Sequence, residues 1–129
     1  MLGYVQVQNR GVEMHVLIVE DKSVYSSRWS RFLLHHGHSV ALAGSFSEAQ
    51  NELADREPDL IICDNDINPC LKHDDIFDGG FFFISEARTQ GFLGRIILYT
   101  GNSRSYFEAE LDITALNVRF IRKQFKPDK

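Results

Sequence analysis

From His15 onward, short apolar runs alternate with longer amphipathic stretches, the pattern of an α/β protein built on a parallel sheet. Val16-Leu17-Ile18-Val19 is almost continuously apolar and stops at Glu20-Asp21, as a strand buried on both faces does. The same reading predicts a second strand over Ser39 to Ala43. A third over Leu60-Ile61-Ile62-Cys63 ends at Asp64, a fourth over Ile96-Ile97-Leu98-Tyr99 ends at Thr100, and a fifth over Val118 to Arg122 ends at Lys123.

The stretches between these runs read as helices. Tyr25, Trp29, Phe32 and His36 recur at helical spacing, which puts them along one helical face, and Gly37 follows where a left-handed cap belongs. Ser47-Glu48-Ala49-Gln50 fits a capping box for a second helix that buries Ala49 and Leu53 and stops before Pro58. A third helix is predicted over Phe81 to Thr89, ended by Gly91, and a fourth over Ser103 to Leu116. Asn65 to Gly80 is a long polar connection, of the kind that is usually functional.

Composition narrows the picture. A chain of 129 residues fits one domain, and 43% hydrophobic with 25% charged residues is a globular rather than a disordered balance. The net charge of −4, with basic residues clustered only at Arg119, Arg122, Lys123 and Lys126, argues against direct nucleic-acid binding, which needs a basic patch. Cys63 and Cys70 form no disulfide framework or zinc-ligand spacing, so a reducing cytoplasm is the expected location. No apolar run reaches membrane-spanning length, and Met1 to Met14 lacks the apolar stretch of a signal peptide.

In an open parallel sheet, ligands bind beyond the carboxyl ends of the strands. Glu20 and Asp21, Asp64, Thr100 and Lys123 all fall at such ends. Clustered carboxylates repel one another unless a cation sits among them, and hard oxygen ligands select Mg²⁺. An ammonium and a hydroxyl can then hold phosphoryl oxygens, roles that suit Lys123 and Thr100.

At these residues the chain resembles the receiver domain of bacterial response regulators. The matching stretches are Val16 to Asp21, Gly37-His38-Ser39-Val40, Pro58 to Asp64, Asp78-Gly79, Thr100-Gly101 and Phe120-Ile121-Arg122-Lys123. The resemblance implies a flavodoxin-like, doubly wound sheet of five parallel strands in the order 2-1-3-4-5, with residues 14–129 as the receiver domain behind an extension of residues 1–13. It also implies phosphoryl transfer from a histidine kinase or phosphotransfer protein to Asp64, by a signalling phosphoacceptor that catalyses only its own phosphorylation and dephosphorylation. By the family's pattern Asp21 and Asp64 ligate Mg²⁺ directly, Glu20 acts largely through water, and the Asp66 backbone carbonyl adds a further ligand. Phe120 takes the place of the aromatic switch residue that turns inward as Thr100 moves toward the phosphoryl group.

The chain departs from that pattern in three ways. Pro69 stands five residues after Asp64 rather than four, with Cys70 to Phe77 inserted before Asp78-Gly79; Gln124 replaces the proline that follows the family's lysine; and the sequence given ends six residues after Lys123, without the family's last helix. The face that helix would cover is then expected to be covered otherwise, by a second copy in a homodimer or by the alternating segment Tyr4-Val5-Gln6-Val7-Gln8.

Two rival readings belong beside this one. Ile61 to Asp66 also looks like the first motif of haloacid-dehalogenase-type phosphatases, although that family carries it on its first strand and places acidic ligands after its lysine. The other rival is a receiver-like module that binds a partner without being phosphorylated. His35, His36 and His38 are spaced unlike a metal site, Phe81-Phe82-Phe83 reads as helix core, Cys63 as strand filler, and His73-Asp74-Asp75 as solvated loop.

Overall fold

The structure is a computed structural model and describes residues 13–67, 79–101 and 116–123. Five parallel strands, β1 (His15–Val19), β2 (Ser39–Ala43), β3 (Leu60–Asp64), β4 (Arg95–Thr100) and β5 (Arg119–Arg122), pair in the order β2-β1-β3-β4-β5. The predicted order and fold are both observed. Three helices lie among the described residues: α1 (Ser23–His35), α2 (Phe46–Asp55) and α3 (Gly79–Thr89). The predicted fourth helix, except Leu116, lies outside the described residues. So do the Tyr4 to Gln8 segment, the inserted stretch with Pro69 and His73-Asp74-Asp75, and Gln124 with the residues after it.

Strands β1 and β3 are apolar on both faces because both faces are covered, and every residue of each is buried. Alternation along β1 divides the interior in two. Leu17 and Val19 face a large core with Ile61, Cys63, Phe83, Ile84, Ile96 and Leu98, on the side of α2 and α3; Val16 and Ile18 face a smaller one with Leu33, Leu60 and Ile62, on the side of α1.

Two local expectations need correction. The capping box of α2 is set two residues earlier than Ser47: Ser45 Oγ accepts from the Glu48 amide, and Glu48 Oε1 accepts from the Gly44 amide. Phe46 then enters the helix and meets the Phe83 ring edge-on at 6.0 Å. Helix α3 begins at Gly79, not Phe81. The α1 stripe is only half buried: Trp29 and Tyr25 are partly covered, Phe32 is 57% exposed and His36 is exposed, while Ser26 and Leu33 are the buried positions. Gly37 does close α1 with a left-handed φ of 87°, and Gly91 follows α3 with φ 102°.

Arg88 ties the far end of α3 to the entry of β5. Its guanidinium donates to the carbonyls of Phe92, Gly94, Leu116 and Asn117 at 2.8–3.0 Å.

Candidate phosphoacceptor site

Parallel register brings the strand ends to one edge of the sheet. Val19 pairs with Cys63, so Glu20 comes level with Asp64; Asp64 pairs with Tyr99; and Thr100 pairs with Arg122, the residue before Lys123. The Lys123 amide donates to the Thr100 carbonyl at 2.7 Å, which carries the β4–β5 pairing one residue beyond the strand. Residues distant in sequence thus become neighbours because the chemistry starts where the apolar runs stop.

Carboxylate oxygens of Glu20, Asp21 and Asp64 lie within 4.8 Å of one another. Glu20 and Asp64 are buried, at 5% and 1% exposure, and Asp21 is open to solvent. The Lys123 ammonium stands 3.2 Å from Asp64 Oδ1 and 3.8 Å from Glu20 Oε1. These are ion-pair distances; among the described residues no hydrogen bond of good geometry reaches Glu20 Oε1 or either Asp64 oxygen, although all three atoms are buried. Glu20 Oε2 accepts from the Lys22 amide at 3.2 Å.

One ammonium among three carboxylates leaves an excess of negative charge, and the site titrates accordingly. Burial and the Asp64 carboxylate push the Glu20 carboxyl up to about 7, against the pull of Lys123 and the Lys22 amide. Burial draws the Lys123 ammonium down, but Asp64 and Glu20 outweigh it, and the net displacement is upward. Buried carboxylate oxygens without donors are costly. A small divalent cation with a preference for oxygen fits this donor set, and Mg²⁺ is such a cation.

The loop after Asp64 is fastened to α3. Asn65 is fully buried; its Oδ1 accepts from the Phe81 amide at 2.9 Å and its carbonyl accepts from the Gly80 amide at 3.0 Å. Gly80 lies so close that a Cβ there would meet the Asp64 carbonyl, and a Cβ at Gly79 would meet the Ile67 carbonyl. The glycine pair therefore lets the helix start press against the acceptor loop. Sequence reasoning read these two residues as loop and missed Asn65; the signal was an Asn directly after Asp64 and two adjacent glycines ahead of an apolar run.

The remaining expected residues take the following places. Thr100 is fully buried at the end of β4. Phe120 is half buried in β5 and packs on the larger core. Asp66 is exposed in the turn that follows β3. His36 Nδ1 pairs with the Phe32 carbonyl and His38 Nδ1 accepts from the Met14 amide, so these two histidines are engaged in backbone contacts. Cys63 is fully buried in the larger core, and burial raises its thiol pKa well above the ordinary value. Among the described residues, no helix is long and apolar enough to cross a membrane.

Comparison with known proteins adds the family. A sequence model of the response regulator receiver domain matches residues 16–129. No curated protein sequence matches the chain. Among solved structures, NtrX from Brucella abortus is similar at TM-score 0.69 and 20% identity, over 89% of this chain and 24% of that one. The chain thus spans about a quarter of NtrX. The chemotaxis response regulator CheY4 of Vibrio cholerae is similar at TM-score 0.70 and 23% identity, over 90% of this chain and 91% of its own. The response regulator TrrA from Thermotoga maritima, described in complex with Mg²⁺-BeF, is similar at TM-score 0.65 and 22% identity, over 87% and 88% of the two chains.

Proposed function

The chain belongs to the response regulator receiver domain family, and from that premise we propose that Asp64 is its phosphoacceptor, with Lys123 and Thr100 as the groups that hold the transferred phosphoryl. Receiver domains act in two-component signalling and are signalling domains rather than enzymes. The observation that carries the residue assignment is the buried Asp64 carboxylate, which no hydrogen bond of good geometry from the described residues satisfies, 3.2 Å from an ammonium and beside two further carboxylates.

In the proposed reaction an Asp64 carboxylate oxygen attacks the phosphorus of a phosphohistidine on a kinase or phosphotransfer protein. The O–P bond forms as the P–N bond breaks, and the electron pair leaves on the imidazole nitrogen. Lys123 pairs with one equatorial phosphoryl oxygen, and the Thr100 hydroxyl donates to another. Bound Mg²⁺ would supply charge neutralisation to the phosphoryl oxygens; Asp21, Asp64 and the Asp66 carbonyl would hold it, with Glu20 acting largely through water. Phe120, half buried on the larger core, is proposed as the aromatic that turns inward when Thr100 moves. Residues 14–129 form the proposed domain, which is placed in the cytoplasm and binds no nucleic acid directly, and residues 1–13 form an extension. A homodimer or a tight partner at the uncovered face, with the fifth-strand side of the domain at the contact and the N-terminal segment involved, belongs to the same proposal.

The match to the receiver family does not favour the phosphatase alternative. Incubation with acetyl phosphate and Mg²⁺, followed by intact-mass measurement, is expected to show one added phosphoryl group in the wild type and none in Asp64→Asn. Addition that persists in Asp64→Asn overturns the assignment of Asp64. A wild type that takes up nothing makes the chain a receiver-like module without phosphorylation.

A further inference from the structure

The Lys123 side chain is only 10% exposed, and its ammonium has aromatic neighbours besides the two carboxylates. It stands over two rings, with the Tyr25 centroid 4.3 Å and the Tyr99 centroid 5.1 Å from Nζ. Both distances fall within the range of about 6 Å over which a ring face attracts a cation. The rings come from elements other than the one that carries the lysine: Tyr25 from the first turn of α1 and Tyr99 from β4.

The rings are themselves held in place. Tyr25 and Tyr99 meet edge-on at 5.9 Å and 74°, and Trp29 meets Tyr99 edge-on at 5.6 Å and 86°. A ring face offers the ammonium a negative surface without an oxygen that would compete for its N–H groups. It also displaces water, which strengthens the pull between ammonium and carboxylate. A lysine side chain is long and flexible, and these contacts restrict it to the direction of Asp64.

We infer that Tyr25 and Tyr99 are positioning residues for phosphoryl transfer, a two-ring cradle that keeps the Lys123 ammonium aimed at the acceptor. The inference rests on the assignment of Asp64 and Lys123 made above. Because the ring faces act and the hydroxyls do not, phenylalanine can replace tyrosine at both positions and leucine cannot.

The test uses the full chain and two double variants, Tyr25→Phe with Tyr99→Phe and Tyr25→Leu with Tyr99→Leu, each checked for folding by thermal unfolding. Acetyl phosphate with Mg²⁺ gives the rate of phosphoryl addition by intact mass. NMR of the Lys123 side chain in the unphosphorylated protein reports ring-current shifts at Cε and Nζ. The leucine pair is expected to lose the ring-current shift and to phosphorylate about tenfold more slowly, and the phenylalanine pair to recover both. A folded leucine pair with wild-type rate and unchanged Lys123 signals overturns the cradle, and so does a phenylalanine pair as slow as the leucine pair. If the leucine pair does not fold, Tyr25→Leu alone, at a half-buried position, decides by the same two readouts. If the wild type takes up no phosphoryl group, the acceptor assignment fails, while the NMR comparison still decides whether the rings hold the ammonium.

Discussion

The two faces of the sheet are covered very differently. On the side of α2 and α3 the core is broad: Phe83, Ile84, Ile61 and Leu98 are fully buried and Phe46 meets the Phe83 ring edge-on. On the side of α1 the buried cluster is Val16, Ile18, Leu33, Leu60 and Ile62, while Trp29, Ile97 and Tyr99 are half covered and Phe32 is mostly exposed. Tyr25, Arg28, Trp29, Phe32 and Tyr99 line an open groove of about 310 Å³ there. The site draws on both faces. The acceptor loop is fastened by α3, and the ammonium is held by rings from the α1 side, so stability and charge placement come from different halves of the molecule.

The largest expected effect contrasts two phenylalanines. Phe83→Ala leaves a cavity in the larger core and is expected to cost about 4 kcal/mol, against under about 1 kcal/mol for Phe32→Ala. Urea unfolding of the two variants measures both, and equal losses would mean that the α1 face is as tightly covered as the other.

Gly80→Ala comes next. Its Cβ would be forced against the Asp64 carbonyl and the Asn65 Cα, and the shift required is expected to cost about 3 kcal/mol, at the upper end for overpacking. Because the moving part is the acceptor loop, acetyl phosphate labelling should slow as well. Unfolding curves and labelling rates like those of the wild type would separate α3 from the site.

The smallest effect is electrostatic. Glu20 holds its proton up to about 7 in the fold, against an ordinary 4.5. The native state therefore binds a proton that the unfolded chain has released, and without Mg²⁺ this contribution to stability is lost as pH rises through that window. Burial and Arg56 lower the His15 pKa, which gives a slope of opposite sign below 6.5, so Glu20→Gln serves as the reference. Mg²⁺ at millimolar concentration should raise the Tm more at pH 8 than at pH 5, by roughly 4 °C, or about 1 kcal/mol. A Tm indifferent to Mg²⁺ at both pH values would remove the cation from the site.

Strand positions were readable because β1 and β3 are apolar on both faces and Glu20 and Asp64 follow directly on those runs; the strand order was implied by the resemblance to the receiver family. What escaped depends on contacts across the fold. Ser45 and Ser47 both begin a Ser-x-x-Glu/Gln pattern, and only the docking of Phe46 on Phe83 distinguishes them. Gly79-Gly80 read as a break because the backbone it touches lies a dozen or more residues earlier. The helical spacing of Tyr25, Trp29 and Phe32 marked a stripe correctly as apolar, but spacing says nothing of how far the opposite surface extends. Tyr99 carried no local sign of its ammonium neighbour.

The β4–β5 pairing also has a consequence in time. Glu20 and Lys123 stand about a hundred residues apart in the chain, a separation that delays contact formation in folding. The counter-charge for Asp64 directly follows β5, the last of the described strands in chain order, so a nascent chain holds Glu20, Asp21 and Asp64 before Lys123 has emerged. Until β5 docks beside β4, the carboxylates lack the ammonium that faces them. A chain halted before residue 119 has an acceptor without that cation.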